Sequence, residues 1–176
     1  MQVPEGWEKI RLGQFMTFKN GLNADKEQYG SGMPFVNVMD VFNNDILTAK
    51  KLIGKIQIRE KQIADNQLKN GDVLFNRTSE TYDEIAMSAV FIDSEPATFG
   101  GFVIRGRPNK NTLNEWFSVY AFQAQSFRNQ VIKLGQGAVR ANIGQKDLAK
   151  VCLLIPPLSE QTKIAEILST WDNAIT

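Results

Sequence analysis

Residues 71–107, GDVLFNRTSETYDEIAMSAVFIDSEPATFGGFVIRGR, decide how the chain is built. Three runs rich in β-forming residues follow one another: Asp72–Arg77 (DVLFNR), Ala86–Asp93 (AMSAVFID) and Gly101–Arg107 (GFVIRGR). Short strands in succession predict a curved, mostly antiparallel sheet. Upstream, Arg59–Leu68 reads as a short helix closed by Asn70-Gly71. Met33–Val41 (MPFVNVMDV) reads as another strand, and Ile10–Phe18 is a strand-like run that Lys19-Asn20-Gly21 ends in a polar turn.

Downstream, Leu113, Phe117, Tyr120, Ala124, Phe127, Val131 and Leu134 follow a 4-3-4-3-4-3 spacing. That spacing predicts one core-packing helix of about six turns, with Asn111 or Thr112 as its cap and Gly135 as its end. Val151–Ile155 is a further strand, stopped by Pro156-Pro157. Ser159 can then cap a second helix, with Glu160 in its first turn. Ile164, Leu168, Trp171 and Ile175 line one stripe of it, widened by Ile167 and Ala174. A coiled-coil seam and ordinary docking onto the domain both suit that stripe. The fold class is therefore mixed α+β: a mostly antiparallel sheet, a long core helix and a C-terminal helix.

The chain has 176 residues, 43% hydrophobic and 22% charged, an ordinary balance for a folded domain. No apolar run approaches the roughly 20 residues that span a bilayer, and the N-terminus lacks the apolar segment of a signal peptide. Cys152, the single cysteine, stands in the apolar run VCLLI and is expected to be buried and inert. These features predict a cytoplasmic protein with no membrane partner. Net charge is +1, so nucleic-acid binding would need its charge localised. The distribution is uneven. Arg128, Lys133, Arg140, Lys146 and Lys150 face one acid, Asp147, while Glu80, Asp83, Glu84, Asp93 and Glu95 fall in a stretch without a base. Two solvated faces of opposite sign would give this pattern, and so would one face turned to phosphates and another turned away.

Catalytic machinery is hard to find. There is no histidine, which removes the commonest general base and most zinc sites. No phosphate loop is present, and Gly100-Gly101 lacks the rest of a dinucleotide fingerprint. Pro156-Pro157 lacks the flanking residues of an amino-methyltransferase motif. Asp72, Asp83 and Glu84 are the one set that suggests a metal-dependent nuclease, without a lysine at a completing position. The sequence thus predicts no catalytic residue, no metal and no cofactor, and favours binding over catalysis.

Four segments then occur in a recognisable order. Pro4-Glu5-Gly6-Trp7 leads into Ile10-x-Leu12-Gly13. Gly71–Ser79 (GDVLFNRTS) comes next, and Leu134-Gly135-Gln136-Gly137 precedes Asn142-Ile143 and a basic stretch. Last, IPPLSEQ (155–161) runs into KIAEIL (163–168). Together they resemble a target-recognition domain of a type I restriction–modification specificity subunit (HsdS). The resemblance spans nearly the whole chain, and the Pro-Pro/Glu-Gln junction is its most specific part. It implies residues 1–157 as a DNA target-recognition domain and 158–176 as the start of the family's conserved spacer helix. It also implies double-stranded DNA as ligand, methyltransferase (modification) subunits as partners and, through them, the restriction subunit. A second recognition domain, or a copy of this chain, would read the other half of a split target. Whether the chain is a piece or a naturally short subunit stays open. Alternatives are the recognition domain of a fused restriction–methylation enzyme, the small nuclease, and a protein-only adaptor.

A reader needs polar loops on a rigid frame. Three segments qualify: Lys19 and Asn20; Arg77, Thr78 and Ser79; and Gln136, Arg140, Asn142, Gln145 and Lys146, where Gly135 and Gly137 would admit DNA close to the backbone. Arg77 is the foremost candidate for a bidentate contact, with a salt bridge to Glu80 as its structural alternative. On the C-terminal helix, Ile164, Leu168, Trp171 and Ile175 are the expected partner surface.

Overall fold

The run Asp72–Asn76 forms a strand buried at every residue, and the rest of the chain is laid around it. A computed structural model describes residues 3–137 and 140–175, with the side chain of Ile175 outside that description. In chain order the elements are β1 (Glu8–Arg11), α1 (Leu12–Phe15), β2 (Met16–Asn20), β3 (Tyr29–Val36), α2 (Val38–Asn43), β4 (Ile46–Leu47), β5 (Lys55–Ile56), α3 (Glu60–Asn66) and β6 (Asp72–Asn76). There follow β7 (Thr78–Ser79), β8 (Ser88–Phe91), β9 (Thr98–Phe99), β10 (Val103–Pro108), α4 (Glu115–Ala121), α5 (Gln125–Leu134), β11 (Ala141–Asn142), α6 (Gln145–Leu148), β12 (Cys152–Ile155) and α7 (Leu158–Ile175). The architecture is mixed α+β, as the sequence predicts.

The main sheet has the order β2-β10-β6-β8-β4, antiparallel except for the parallel β4–β8 pair. β6 is central, and both of its faces are covered, so it reads as a continuous apolar run rather than an alternation. Val73 and Phe75 face one core with Ile104, Phe117, Phe122, Phe127 and Val131. Leu74 faces a second core with Phe91, Phe99, Val103 and Leu68. Asp72 is also buried, and Arg107 holds it through two hydrogen bonds of 2.7 Å, from Nε and from Nη2. Arg105 lies on the same face, its guanidinium carbon 5.8 Å from the Phe99 ring centre. Burial and the neighbouring Arg107 push its pKa down, and Asp72 opposes them.

Six local expectations change. Residues 113–134 form two helices, α4 and α5, rather than one. The chain breaks after Ala121, and Ala124 adopts an extended conformation (φ −56°, ψ 139°). The break rotates Phe122 into the core, edge-on to Phe75 (5.3 Å) and Phe127 (5.2 Å), and leaves Ala124 exposed. Burying a phenylalanine in place of an alanine is worth about 2 kcal/mol, enough to outweigh helical continuity. The cap of α4 is Asn114, whose Oδ1 accepts from the N–H groups of Trp116 and Phe117, both at 3.0 Å. Asn111 and Thr112 lie in the preceding turn.

The strand expected over Met33–Val41 ends at Val36. There the Asp40 carboxylate accepts from Asn37 N–H at 2.7 Å and closes a turn that starts α2. Lys19 and Asn20 are the last residues of β2 rather than a turn, and Gly21 and Leu22 continue beside 99–103, donating to the Val103 (3.1 Å) and Phe99 (2.9 Å) carbonyls. Helix α7 starts at Leu158, so Ser159 is inside the first turn and is no cap. The Pro157 carbonyl accepts from Glu160 and Gln161 instead. Cys152, on β12, is half-buried rather than buried. No helix among the described residues is long and apolar enough to cross a membrane.

Candidate nucleic-acid interface

The three polar segments chosen from sequence meet at one end of the main sheet. β6 leaves the sheet at Arg77, whose N–H donates to the Phe102 carbonyl (2.9 Å) and whose carbonyl accepts from Ile143 N–H (3.0 Å). Immediately after it, β7 pairs with β11, Thr78 opposite Asn142 and Ser79 opposite Ala141. Gln136 and Asn142 exchange backbone bonds of 2.9 and 2.7 Å, which folds Asn142 back beside Gln136. Gly137, at φ +128°, makes that fold possible: a Cβ there would lie 2.1 Å from the Arg140 carbonyl oxygen. Its freedom serves the protein's own turn. Gly135 packs under Tyr82, whose hydroxyl donates to the Gly137 carbonyl.

The β2 end joins the same cluster through Gln145. The Gln145 amide nitrogen faces the Phe18 carbonyl at 3.0 Å, and its oxygen faces Asn20 N–H at 3.2 Å. Backbone ladders and side-chain amides therefore bring together four stretches that are far apart in sequence.

The candidate residues divide by what they are already doing. Arg77 is exposed and has no side-chain partner among the described residues, so the proposed Arg77–Glu80 bridge does not form. Glu80 instead lies 4.0 Å from Arg140, with both side chains largely in solvent. A pair so exposed contributes little and yields readily to a ligand. Gln136, Lys146 and Asn20 are also exposed. Lys19, by contrast, is half-buried and donates to the Asp65 carbonyl (2.5 Å). Ser79 is buried; its hydroxyl donates to Glu84 and accepts from Thr81 N–H. Asn142 donates to the Arg140 carbonyl, and Thr78 is half-buried. Lys19, Ser79, Asn142 and Gln145 thus hold the loops in shape, while Arg77, Gln136 and Lys146 are free to touch a ligand; Arg140 and Asn20 are exposed with one neighbour each, Glu80 at 4.0 Å and the Gln145 amide at 3.0 Å.

The two charge runs are not on separate faces. Arg128 is half-buried, and its guanidinium donates to the carbonyls of Asp83 (2.8 Å), Ile85 (2.7 Å) and Ala86 (2.9 Å). Burial pushes its pKa down and Asp83 partly restores it. Lys150 pairs with Asp147 at 2.8 Å. The acidic stretch therefore packs against the basic one, and only part of the sequence's positive charge is available for phosphates.

The nuclease set fares worse. Both Asp72 oxygens are taken by Arg107, and one of them also accepts from Lys69 N–H (2.8 Å). Among the described residues no group of three His, Cys, Asp or Glu side chains is placed to hold a metal.

Two features escaped the sequence. Phe102 is 63% exposed at the tip of the Gly100-Gly101 turn, beside Arg77. The glycine pair was the available signal, since it marks a tight approach of backbones rather than a failed cofactor motif. Gln161 is buried at the root of α7, with Nε2 donating to the carbonyls of Thr112 (3.1 Å) and Pro156 (2.9 Å) and Oε1 accepting from Asn114 N–H (2.8 Å). Trp7 Nε1 donates to Glu160 (2.9 Å), and the Tyr120 hydroxyl donates to Asp172 (2.8 Å), adding two more ties between helix and domain. Of the expected partner stripe, Ile164 packs against the core. Leu168 and Trp171 project into solvent, as does Ile167. Ile175 falls outside the described side chains.

The model of the type I restriction modification DNA specificity domain matches residues 4–176. Two relatives come from Methanocaldococcus jannaschii. The type I restriction enzyme MjaVIII specificity subunit is 25% identical and covers 99% of this chain and 38% of its own length. A protein bearing the name of a MjaX specificity subunit is 28% identical, over 99% of this chain and 41% of its own length. Among solved structures, the HsdS subunit of Thermoanaerobacter tengcongensis superposes with a TM-score of 0.71 at 20% identity, covering 99% of this chain and 39% of that one. The chain spans about two-fifths of the length of these proteins.

Proposed function

We propose, since the chain belongs to the family of type I restriction modification DNA specificity domains, that it reads one half of a split DNA target and directs modification and restriction carried out by partner subunits. The observation that carries this reading is the convergence of exposed polar side chains, the unpaired Arg77 above all, on loops fixed by backbone bonds. Recognition of base edges needs donors and acceptors whose positions are set before binding. Arg77 supplies a bidentate fork, Gln136 and Asn20 supply amides, and Arg140 and Lys146 supply cations for phosphates. Lys19, Thr78, Ser79, Asn142 and Gln145 set the shape of the loops.

Residues 1–157 act as the recognition domain, and 158–176 open the spacer helix, where Leu168 and Trp171 face a second helix or a modification subunit. The chain works in the cytoplasm as a non-catalytic reader, with methyl transfer and cleavage left to its partners.

Mapping DNA methylation in cells with and without the gene tests the reading. Loss of a bipartite methylation motif on deletion is the expected result. An unchanged methylome, together with no sequence preference in DNA binding by the assembled complex, overturns it. Magnesium-dependent cutting by this chain alone would also sink it.

A further inference from the structure

We infer that Phe102 and the depression beside it recognise the thymine methyl group of an A·T base pair in the major groove. The inference rests on the DNA-reading function proposed above and specifies what one part of that surface reads. Phe102 is 63% exposed, yet it stands on a tightly tied turn. Gly100 N–H donates to Val36 (3.0 Å), Gly101 N–H to Leu22 (2.8 Å), Val103 N–H to Gly100 (2.9 Å) and Arg77 N–H to Phe102 itself (2.9 Å). The Gly21 and Gly100 backbones meet without room for a side chain, since a Cβ on Gly21 would lie 2.1 Å from the Gly100 carbonyl oxygen, and the Asn23 side chain closes over Gly101, its Oδ1 2.0 Å from where a Cβ would lie. A large apolar side chain is therefore held in water on a rigid backbone support. A ring fixed in this way beside a depression is preorganised for contact with a ligand.

The chemistry around Phe102 says which part of DNA covers it. A depression of about 270 Å³ adjoins the ring, with Leu22, Tyr29 and Phe35 as apolar walls and Asn23 and Asn37 as amides. No charged side chain lines it, so it is not a seat for phosphate. DNA offers apolar surface in two places: the C5-methyl of thymine in the major groove, and the face of an unstacked base. The first comes with a neighbouring edge of neutral donors and acceptors, the thymine O4 and the adenine N6 and N7, and is reached without the cost of unstacking a base. The G·C edge has no apolar group. An apolar ring next to neutral amides therefore matches A·T, while Arg77, on the other side of the same turn, is placed for a neighbouring guanine or phosphate.

The test uses the complete specificity protein assembled with its modification subunits, and a duplex carrying the methylation-mapped half-site. Each thymine is exchanged in turn for uracil, which removes only the methyl. The wild type should lose about fourfold in affinity at one position, the worth of one buried methyl-sized group. Phe102→Ala should weaken binding and abolish that uracil effect, and Phe102→Leu should keep part of both. Specific binding in which no uracil exchange matters, or in which the exchange matters equally in Phe102→Ala, overturns this inference alone. So does a rise in 2-aminopurine fluorescence at the contacted step, which would show an unstacked base. Absence of any sequence preference in the wild type would overturn the DNA-reading function and this inference with it.

Discussion

The two ends of β10 are built differently. At its start, beside Phe102, the adjoining segments 21–22, 77 and 100–103 are joined by backbone bonds, and the side chains of Arg77 and Phe102 are left in solvent. Beyond its far end, at Thr112 and Asn114, side chains do the joining: Gln161 uses its whole amide, and Trp7 and Tyr120 spend their polar atoms on α7. Near that end, the Arg107–Asp72 pair closes the sheet. The difference shows how one domain can serve two purposes. Backbone bonding fixes loops while leaving their side chains open to variation, which suits a surface that reads. Side-chain bonding commits residues to one geometry, which suits a joint that holds a helix at a set angle.

Changes at the joint should therefore cost stability, and changes at the tip should cost binding. The largest effect is expected from Arg107→Leu, which strands the Asp72 carboxylate, itself without exposure. A loss of about 3–5 kcal/mol in denaturant unfolding is expected, with much of it recovered in Arg107→Leu/Asp72→Leu. A loss below about 1 kcal/mol would break the contrast at its root. Next is Gln161→Leu, expected to cost about 2–3 kcal/mol because three backbone groups lose their partner. Hydrogen exchange should show α7 loosening ahead of the sheet. Third, Arg77→Ala should weaken specific DNA binding by about 1–3 kcal/mol while leaving the unfolding midpoint unchanged. A matching drop in stability would place Arg77 with the joint rather than the tip.

The smallest effect concerns pH. The Tyr120 hydroxyl is pushed up from its ordinary 10.0 to about 12, by burial first and by its bond to Asp172 next. The folded state therefore keeps the proton where the unfolded chain has lost it. This contribution is complete below pH 10 and is lost as pH rises from 10 toward 12. Tyr120→Phe should cost about 0.5–1.5 kcal/mol at neutral pH and flatten that alkaline decline in unfolding titrations.

Much of the fold was legible because its signals are local. DVLFN, the Pro-Pro stop and the stripe of α7 each state their own structure within a few residues. The 113–134 helix was misread for the same reason. Spacing alone favours a continuous stripe through Ala124, whereas the demand for a phenylalanine comes from Phe75, on a distant strand. The candidate site was legible as a set of loops and not as a set of roles. Arg77 and Lys19 look equally available in sequence. Only the position of the Asp65 carbonyl shows that Lys19 is already engaged. Arg128 looked like part of a phosphate-facing run until its three carbonyl acceptors, over forty residues away, were seen.

By itself, the sequence determined the kinds of chemistry open to this protein. It has no histidine, one cysteine and no phosphate loop, and its strand and helix periods are those of a mixed α+β domain. It also carried the ordered motifs that resemble a specificity subunit. The tertiary structure decided which polar side chains are spent and which are free, that Asp72 belongs to a buried ion pair, and that Phe102 stands beside Arg77. The physical reason is that composition and periodicity are properties of neighbours along the chain. Whether a charge or a ring is satisfied depends instead on groups brought to it from dozens of residues away.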